Sequence, residues 1–264
     1  MCDNNKFYIC EKCGNLVGMI NESGVPMMCC GQKMTKLQAG VVEASHEKHI
    51  PVVSVEGNTV TVRESLSAIS RMPFFRYETR YSFFADGRCE ISLAGKVREN
   101  CIWLPRLGME FSLKNCDDAF RYYGRGDKEN YCDMQQHARI GLYESTADDE
   151  YVPYIMPQEH GNHIDTKYLY MKKSGLAFES DKGFEFAVSH LDSLMLMRAM
   201  HTDEIVPAGK TVVRIDYKGS GIGSNSCGPV LLPEYTISEQ KISFSFNIKP
   251  IFTAGTDGFA EYIK

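Results

Sequence analysis

Apolar residues along this chain fall in short runs broken by Gly, Asn, Asp and Pro, the rhythm of β-strands joined by tight turns. Phe7-Tyr8-Ile9 leads into Cys10, and Leu16 to Ile20 reads as a strand. Asn21-Glu22-Ser23-Gly24 then forms a hairpin turn, and Val25 to Met28 returns to Cys29-Cys30-Gly31. Two knuckles, each ending in Cys-Gly, are thereby expected at opposite ends of a hairpin. His49-Ile50-Pro51-Val52-Val53 and Asn58-Thr59-Val60-Thr61-Val62 are β-branched and flank Glu56-Gly57, a second hairpin signal. Residues 64–73 have no clear period and read as a junction. From Phe74 onward strand signals dominate: Arg80 to Phe84 and Cys89 to Leu93 around Asp86-Gly87, then Met109–Leu113, Gly183–Ser189, Thr211–Tyr217 and Lys241–Ile248. Ser189 to His201 is the exception. There Leu191, Leu194, Met195 and Met197 recur at helical spacing, which predicts a helix with a core-facing stripe.

Composition narrows the classes. With 264 residues, 43% of them hydrophobic, the chain can bury one large core or two smaller ones. A formal net charge of −5 without a basic run excludes non-specific nucleic-acid binding, which rests on Lys and Arg neutralising phosphates. No apolar stretch approaches the roughly 20 residues of a membrane helix. Met1 to Lys6 is polar, so no secretory leader is expected and the predicted location is cytoplasmic. Of the ten cysteines, four lie between Cys10 and Cys30, and clustered thiols in a reducing compartment indicate a metal site. The scattered six (Cys2, Cys89, Cys101, Cys116, Cys132, Cys227) read as buried small hydrophobes.

Four thiolates around one ion favour zinc or iron in a tetrahedron. The adjacent pair Cys29-Cys30 can bind one ion only if the backbone bends sharply, because neighbouring side chains start off diverging. Tyr8-Ile9-Cys10-Glu11-Lys12-Cys13-Gly14, Cys29-Cys30-Gly31 and the trailing Gln32 to Leu37 resemble desulforedoxin and the N-terminal domain of desulfoferrodoxin. The resemblance covers about the first 40 residues. It implies a rubredoxin-like ferric/ferrous centre on Cys10, Cys13, Cys29 and Cys30, with iron as cofactor and zinc as the alternative. His46-Glu47-Lys48-His49-Ile50-Pro51-Val52 is similar to the opening of the superoxide-reductase domain of desulfoferrodoxin. That likeness maps a catalytic lysine onto Lys48 and an iron-binding histidine onto His49. The family's second iron site needs four histidines and a cysteine, and the next histidine here is His137. Lys48 and His49 are then a vestigial site, and superoxide reductase activity is not expected.

Six further segments run from Pro105 to Tyr235: Pro105–Met109, Gly124–Asp133, Tyr151–Asn162, His201–Glu204, Ile215-Asp216, and Gly221–Pro229 followed by Pro233-Glu234-Tyr235. In order and spacing they resemble the small-chain domain of family 2 β-galactosidases, over about residues 77 to 250. The family usually has Pro at the place of Asp127 and Arg at that of His163. The implied fold is a galactose-mutarotase-like supersandwich, only part of which is expected here. In that family both catalytic glutamates lie on a TIM-barrel domain. The small-chain domain contributes a loop to the sugar site, corresponding to Gly221 to Gly228. Gly223, Ser224, Asn225, Ser226 and Cys227 are thus candidate sugar-facing residues, with Cys227 at the position of a tryptophan platform in some members. Trp103 and the tyrosines Tyr131, Tyr151 and Tyr154 read as core or strand residues. Glu129, Glu159, Asp133 and Asp216 show no spacing of an acid–base pair. The first three sit in turn-rich segments, where carboxylates accept backbone N–H groups.

The expected fold class is therefore mainly β: a small rubredoxin-like metal-binding module followed by a partial β-supersandwich. The expected division is 1–40 for the metal module, 41–73 for a truncated superoxide-reductase-like strand pair and junction, 74–252 for the sandwich, and 253–264 for a tail. The expected function is a carbohydrate-binding accessory domain carrying an iron centre, without the catalytic glutamates. Its partners would be a galactoside-type carbohydrate or a catalytic glycosidase chain. Two alternatives stay open: a rubredoxin-like electron carrier or redox sensor, and a fused remnant without joint function. Apolar strand edges of a truncated sandwich predict a homo-oligomer.

Overall fold

Short strands bounded by tight turns build both parts of the molecule. The computed structural model describes residues 6–13, 16–19, 25–37, 51–67, 73–99, 103–114, 118–207, 209–223 and 229–251. The chain divides into two compact units, Met1–Ile50 and Pro51–Lys264.

In the first unit, β1 (Lys6–Ile9) lies between β2 (Leu16–Met19) and β5 (Thr35–Leu37), antiparallel to both. β3 (Met28–Cys29) and β4 (Gln32–Lys33) form a separate two-residue ladder. The turn between them is Cys30-Gly31, with φ of +51° and +75°. Both residues are left-handed, as in the primed hairpin turns whose twist suits flanking strands. Gly31 takes this conformation without steric cost, and Cys30 is held in it. Among the described residues of this unit only Cys10 and Met34 are buried apolar side chains.

The second unit is organised by one sheet. Its strands are β6 (Val52–Glu56), β7 (Thr59–Ser67), β8 (Pro73–Phe83), β9 (Cys89–Val97), β10 (Arg106–Leu113), β11 (Ala119–Gly126), β12 (Arg139–Thr146), β13 (His163–Met171), β14 (Leu176–Ser189), β15 (Thr211–Gly219) and β16 (Lys241–Pro250). The main path runs β12-β11-β13-β14-β16-β9-β8-β7-β6, and β15 with β10 branches from β14. The branch arises because β14 is long and serves two partners. Leu176 to Glu179 pair with β16, whereas Glu185 to Ser189 pair with β15. Between them, Ser180 to Phe184 pair with neither strand. The sheet therefore forks at the middle of β14.

The fork encloses the main core. Phe120, Tyr122, Leu169, Met171, Phe178, Phe186, Val213, Ile215 and Phe246 are fully buried there. Period-two alternation selects them: β11 buries Phe120, Tyr122, Gly124 and Gly126 and half-exposes the residues between. Each large apolar side chain buried this way contributes about 1.5–3 kcal/mol. A second cluster of Phe75, Leu93, Val97, Leu104, Ile237 and Ile242 packs near the ends of β8 and β9.

Several expectations change. The strand pair set apart in 41–73 is part of the large sheet, because β7 pairs with β8 from Thr59↔Ser82 to Ser67↔Pro73. Of the segment 64–73 read as a junction, Glu64 to Ser67 are the end of β7 and Pro73 is the start of β8. The predicted helix is only Ser193–Arg198 (α1), capped by Asp192, whose carboxylate accepts the Met195 N–H at 2.8 Å. The first residue of the expected helix, Ser189, is the last of β14, and a bend separates β14 from α1. Of the expected stripe only Leu191 is buried: Met195 is half-buried, and Leu194 and Met197 are 60% and 72% exposed. Trp103 stands outside any strand and is exposed, as is Tyr151, while Tyr131 and Tyr154 are half-buried. Cys89 and Cys132 are half-buried rather than buried. The other four isolated cysteines lie outside the described residues.

Candidate functional site

The cysteine cluster forms from two turns. β1 delivers Cys10 into the turn that carries Cys13, and the β3–β4 hairpin presents Cys29 and Cys30. Thr35 Oγ1 on β5 donates to Glu11 Oε1 at 2.8 Å, tying the first turn to the sheet. The four Sγ atoms all lie within 4.8 Å of one another. Zinc–thiolate bonds of about 2.3 Å give a tetrahedron with sulfur–sulfur edges of about 3.8 Å. The Cys13–Cys29 Sγ separation is 3.6 Å and that of Cys29–Cys30 is 3.9 Å. The donor set therefore fits one tetrahedral ion. The left-handed Cys30 supplies the sharp bend the adjacent pair requires, turning both side chains to one point.

The electrostatics also ask for a cation. Cys10 is lowered to about 7, chiefly by the Cys13 backbone N–H. Cys30 is pushed up to about 12 by its contacts with the Cys13 and Cys29 sulfurs. Four sulfurs this close resist joint ionisation, and a bound cation removes that penalty. Cys10 is buried, but Cys13 and Cys30 are exposed, leaving the centre open to the surface.

In the second unit the quoted segments converge on a polar framework. Glu129 accepts the Gly161 backbone N–H at 2.9 Å and the hydroxyls of Tyr131 and Tyr154. Asn130 donates to the carbonyls of Arg125 and Lys128 and accepts the Ile164 N–H. His163 is fully buried, with Nε2 2.9 Å from Glu150 Oε2 and Nδ1 3.1 Å from the Tyr122 hydroxyl. Arg106 makes a two-point contact with Glu159, and Arg214 lies 3.3 Å from the same carboxylate. Both arginines also flank buried Asp216, at 3.7 and 3.5 Å. Burial raises Asp216 to about 6 against the pull of Arg214 and Arg106. Burial acts the same way on Glu159, but Arg106 and Arg214 outweigh it and hold that carboxyl below its ordinary value. Glu129, Asp133, Glu159 and Asp216 thus have backbone or arginine partners.

Asp133 bears directly on the candidate sugar-facing loop. Its carboxylate accepts the N–H groups of Ile222 at 3.0 Å and Gly223 at 2.9 Å. A Cβ on Gly221 would lie 2.4 Å from that carboxyl, so only glycine fits beneath it. The start of the loop is therefore fixed by a residue 89 positions away. Ser224, Asn225, Ser226 and Cys227 lie outside the described residues, as do Lys48 and His49. Sequence reasoning missed Glu185, a buried carboxylate on β14 that accepts from Asn162 Nδ2 at 3.2 Å. No local signal marks it, because it lies within an ordinary strand pattern.

Over residues 17–248 the sequence matches the family described as beta galactosidase small chain. The β-galactosidase of Actinobacillus pleuropneumoniae is 32% identical over 188 residues, which are 71% of this chain and 18% of that protein. The Kluyveromyces lactis β-galactosidase is 32% identical over 215 residues, 76% of this chain and 20% of that protein. The chain spans about a fifth of the length of these relatives. Among solved structures, a GalM/aldose epimerase homologue from C. elegans aligns with a TM-score of 0.40 at 8% identity, covering 75% of this chain and 66% of that one. A galactose mutarotase related enzyme from Lactobacillus acidophilus gives 0.36 at 8% identity, covering 78% and 72%.

Proposed function

Since this chain belongs to the β-galactosidase small-chain family, we propose that its large unit is a carbohydrate-handling accessory domain, acting with a catalytic glycosidase chain that supplies the hydrolytic carboxylates. The family match over residues 17–248 carries this reading. The anchoring of the loop at Gly223 by Asp133 supports it, because a loop that lines a sugar site must be held in place. Hydrolysis of this kind uses two carboxylates flanking the scissile bond. Glu129, Asp133, Glu159 and Asp216 are engaged by backbone N–H groups, tyrosines and arginines instead. The test is complementation: this chain is mixed with a β-galactosidase truncated of its small-chain region. Hydrolysis of a chromogenic galactoside should appear only in the mixture. Robust turnover by this chain alone would sink the reading.

The small unit, on the same proposal, holds one iron ion on Cys10, Cys13, Cys29 and Cys30, in the manner its resemblance to desulforedoxin implies. Bound there, iron would supply a one-electron ferric/ferrous couple. The chain's own contribution is the bend at Cys30 that turns both adjacent sulfurs to one point. Exposure of Cys13 and Cys30 favours a second reading, an electron carrier or redox sensor, since surface ligands shorten the path to a partner. Untagged protein should show thiolate-to-iron absorption that bleaches on reduction. A colourless, zinc-filled protein would remove both iron readings.

A further inference from the structure

The fork in the sheet leaves a space. β15 and β16 diverge from β14, and a cavity of about 340 Å³ opens between them, closed by the segment around Tyr235. Its walls come from Lys182 to Glu185, Tyr217 to Gly219 and Ser243 to Ser245. The volume lies at the small end of ligand cavities, the size suited to a single sugar ring rather than a chain.

We propose that this cavity binds a neutral monosaccharide, with the Glu185 carboxyl as its buried polar anchor. The inference deepens the carbohydrate reading above and rests on it. It places a saccharide site in the body of the domain, apart from the loop that begins at Gly223.

The lining selects the ligand class. Tyr217 and Phe244, whose rings pack 5.9 Å apart at 58°, make part of the lining apolar. The charges at the rim are largely cancelled. Asp165 is held by Arg125 at 2.7 Å, and Lys218 by Glu239 at 2.6 Å. The remaining rim groups, Lys182 and Glu234, are exposed and of opposite sign. An anion meets no buried cation among the lining residues.

Glu185 suits a hydroxyl partner. Burial, with a lesser contribution from the Asp216 charge, raises it to about 7 against the Gly219 backbone N–H. Near neutrality it is present both as acid and as carboxylate. It can therefore donate to or accept from a sugar hydroxyl. Asn162 holds the side chain through its 3.2 Å bond, so the anchor is positioned before any ligand enters.

The experiment is ligand-observed NMR and calorimetric titration of the whole chain with galactose, glucose and citrate. Galactose or glucose should bind and citrate should not. Ser243→Trp, at an exposed position of the cavity wall, should abolish binding while the thermal unfolding curve is kept. Glu185→Gln should weaken binding about tenfold, the effect of losing one hydrogen bond to a carboxyl. Sugar binding insensitive to both substitutions would overturn the cavity assignment and leave the carbohydrate reading standing. So would successful complementation by a chain that binds no monosaccharide. Binding of citrate in place of sugars would overturn the ligand class.

Discussion

The two units differ in where their described buried and chemically active residues lie. The first, Met1–Ile50, buries only Cys10 and Met34 among its described apolar residues and concentrates its chemistry in four sulfurs within 4.8 Å. The second, Pro51–Lys264, has two apolar clusters and distributes its polar groups through a framework spanning several strands. In the first unit the clustered residues are close in sequence. Where the core is large, polar residues are free to be placed for function, and their partners come from far along the chain.

Metal removal should separate the units most sharply. Thiolate sites of this kind contribute on the order of 10 kcal/mol to a small module. Chelation, or Cys10→Ser, should therefore melt the first unit while the main thermal transition persists. A fall of the main transition by more than a few degrees would break the comparison.

In the second unit the largest single effect is expected at His163. His163→Ala strands the buried Glu150 carboxylate and should cost about 3–5 kcal/mol in denaturant unfolding. Asp133→Ala removes the acceptor of two loop N–H groups and should cost about 1–3 kcal/mol. Complementation should fall with it, which separates a loop-positioning role from simple scaffolding.

The pH dependence follows from the raised carboxyls. Glu185 rises to about 7 and Asp216 to about 6 in the folded state, so each protonated form is favoured by folding. Their contribution is complete below the unfolded carboxyl range and is lost as pH rises through 6 to 7. Glu185→Gln should flatten this decline, by a few kcal/mol at most, in unfolding curves recorded from pH 5 to 8. A decline identical in the variant would remove Glu185 as its source. The smallest effect is Gly31→Ala, about 1 kcal/mol on the metal module, from the left-handed backbone alone. Competition with a chelator should show correspondingly weaker metal retention.

The sequence by itself determined the β character of the chain and marked the four cysteines that the fold brings together, because both depend on local rules. Cys-x-x-Cys places two ligands on one turn, Cys29-Cys30-Gly31 signals a bend, and alternation marks strands such as β9 and β16 by their buried faces. The same rules did not show how the strands join. β6 has no buried face, so its membership of the large sheet rests on the pairing of β7 with β8. The helical spacing after Ser189 yields only the six-residue helix Ser193–Arg198, because β14 runs to Ser189 and a bend separates the two. Only the tertiary structure decided which carboxylates are buried, that Asp133 grips the loop at Gly223, and that β14 forks to leave a cavity beside Glu185. Those features join residues from about 30 to 90 positions apart, and strand pairing at that distance is set by how the whole core closes rather than by the spacing of neighbours.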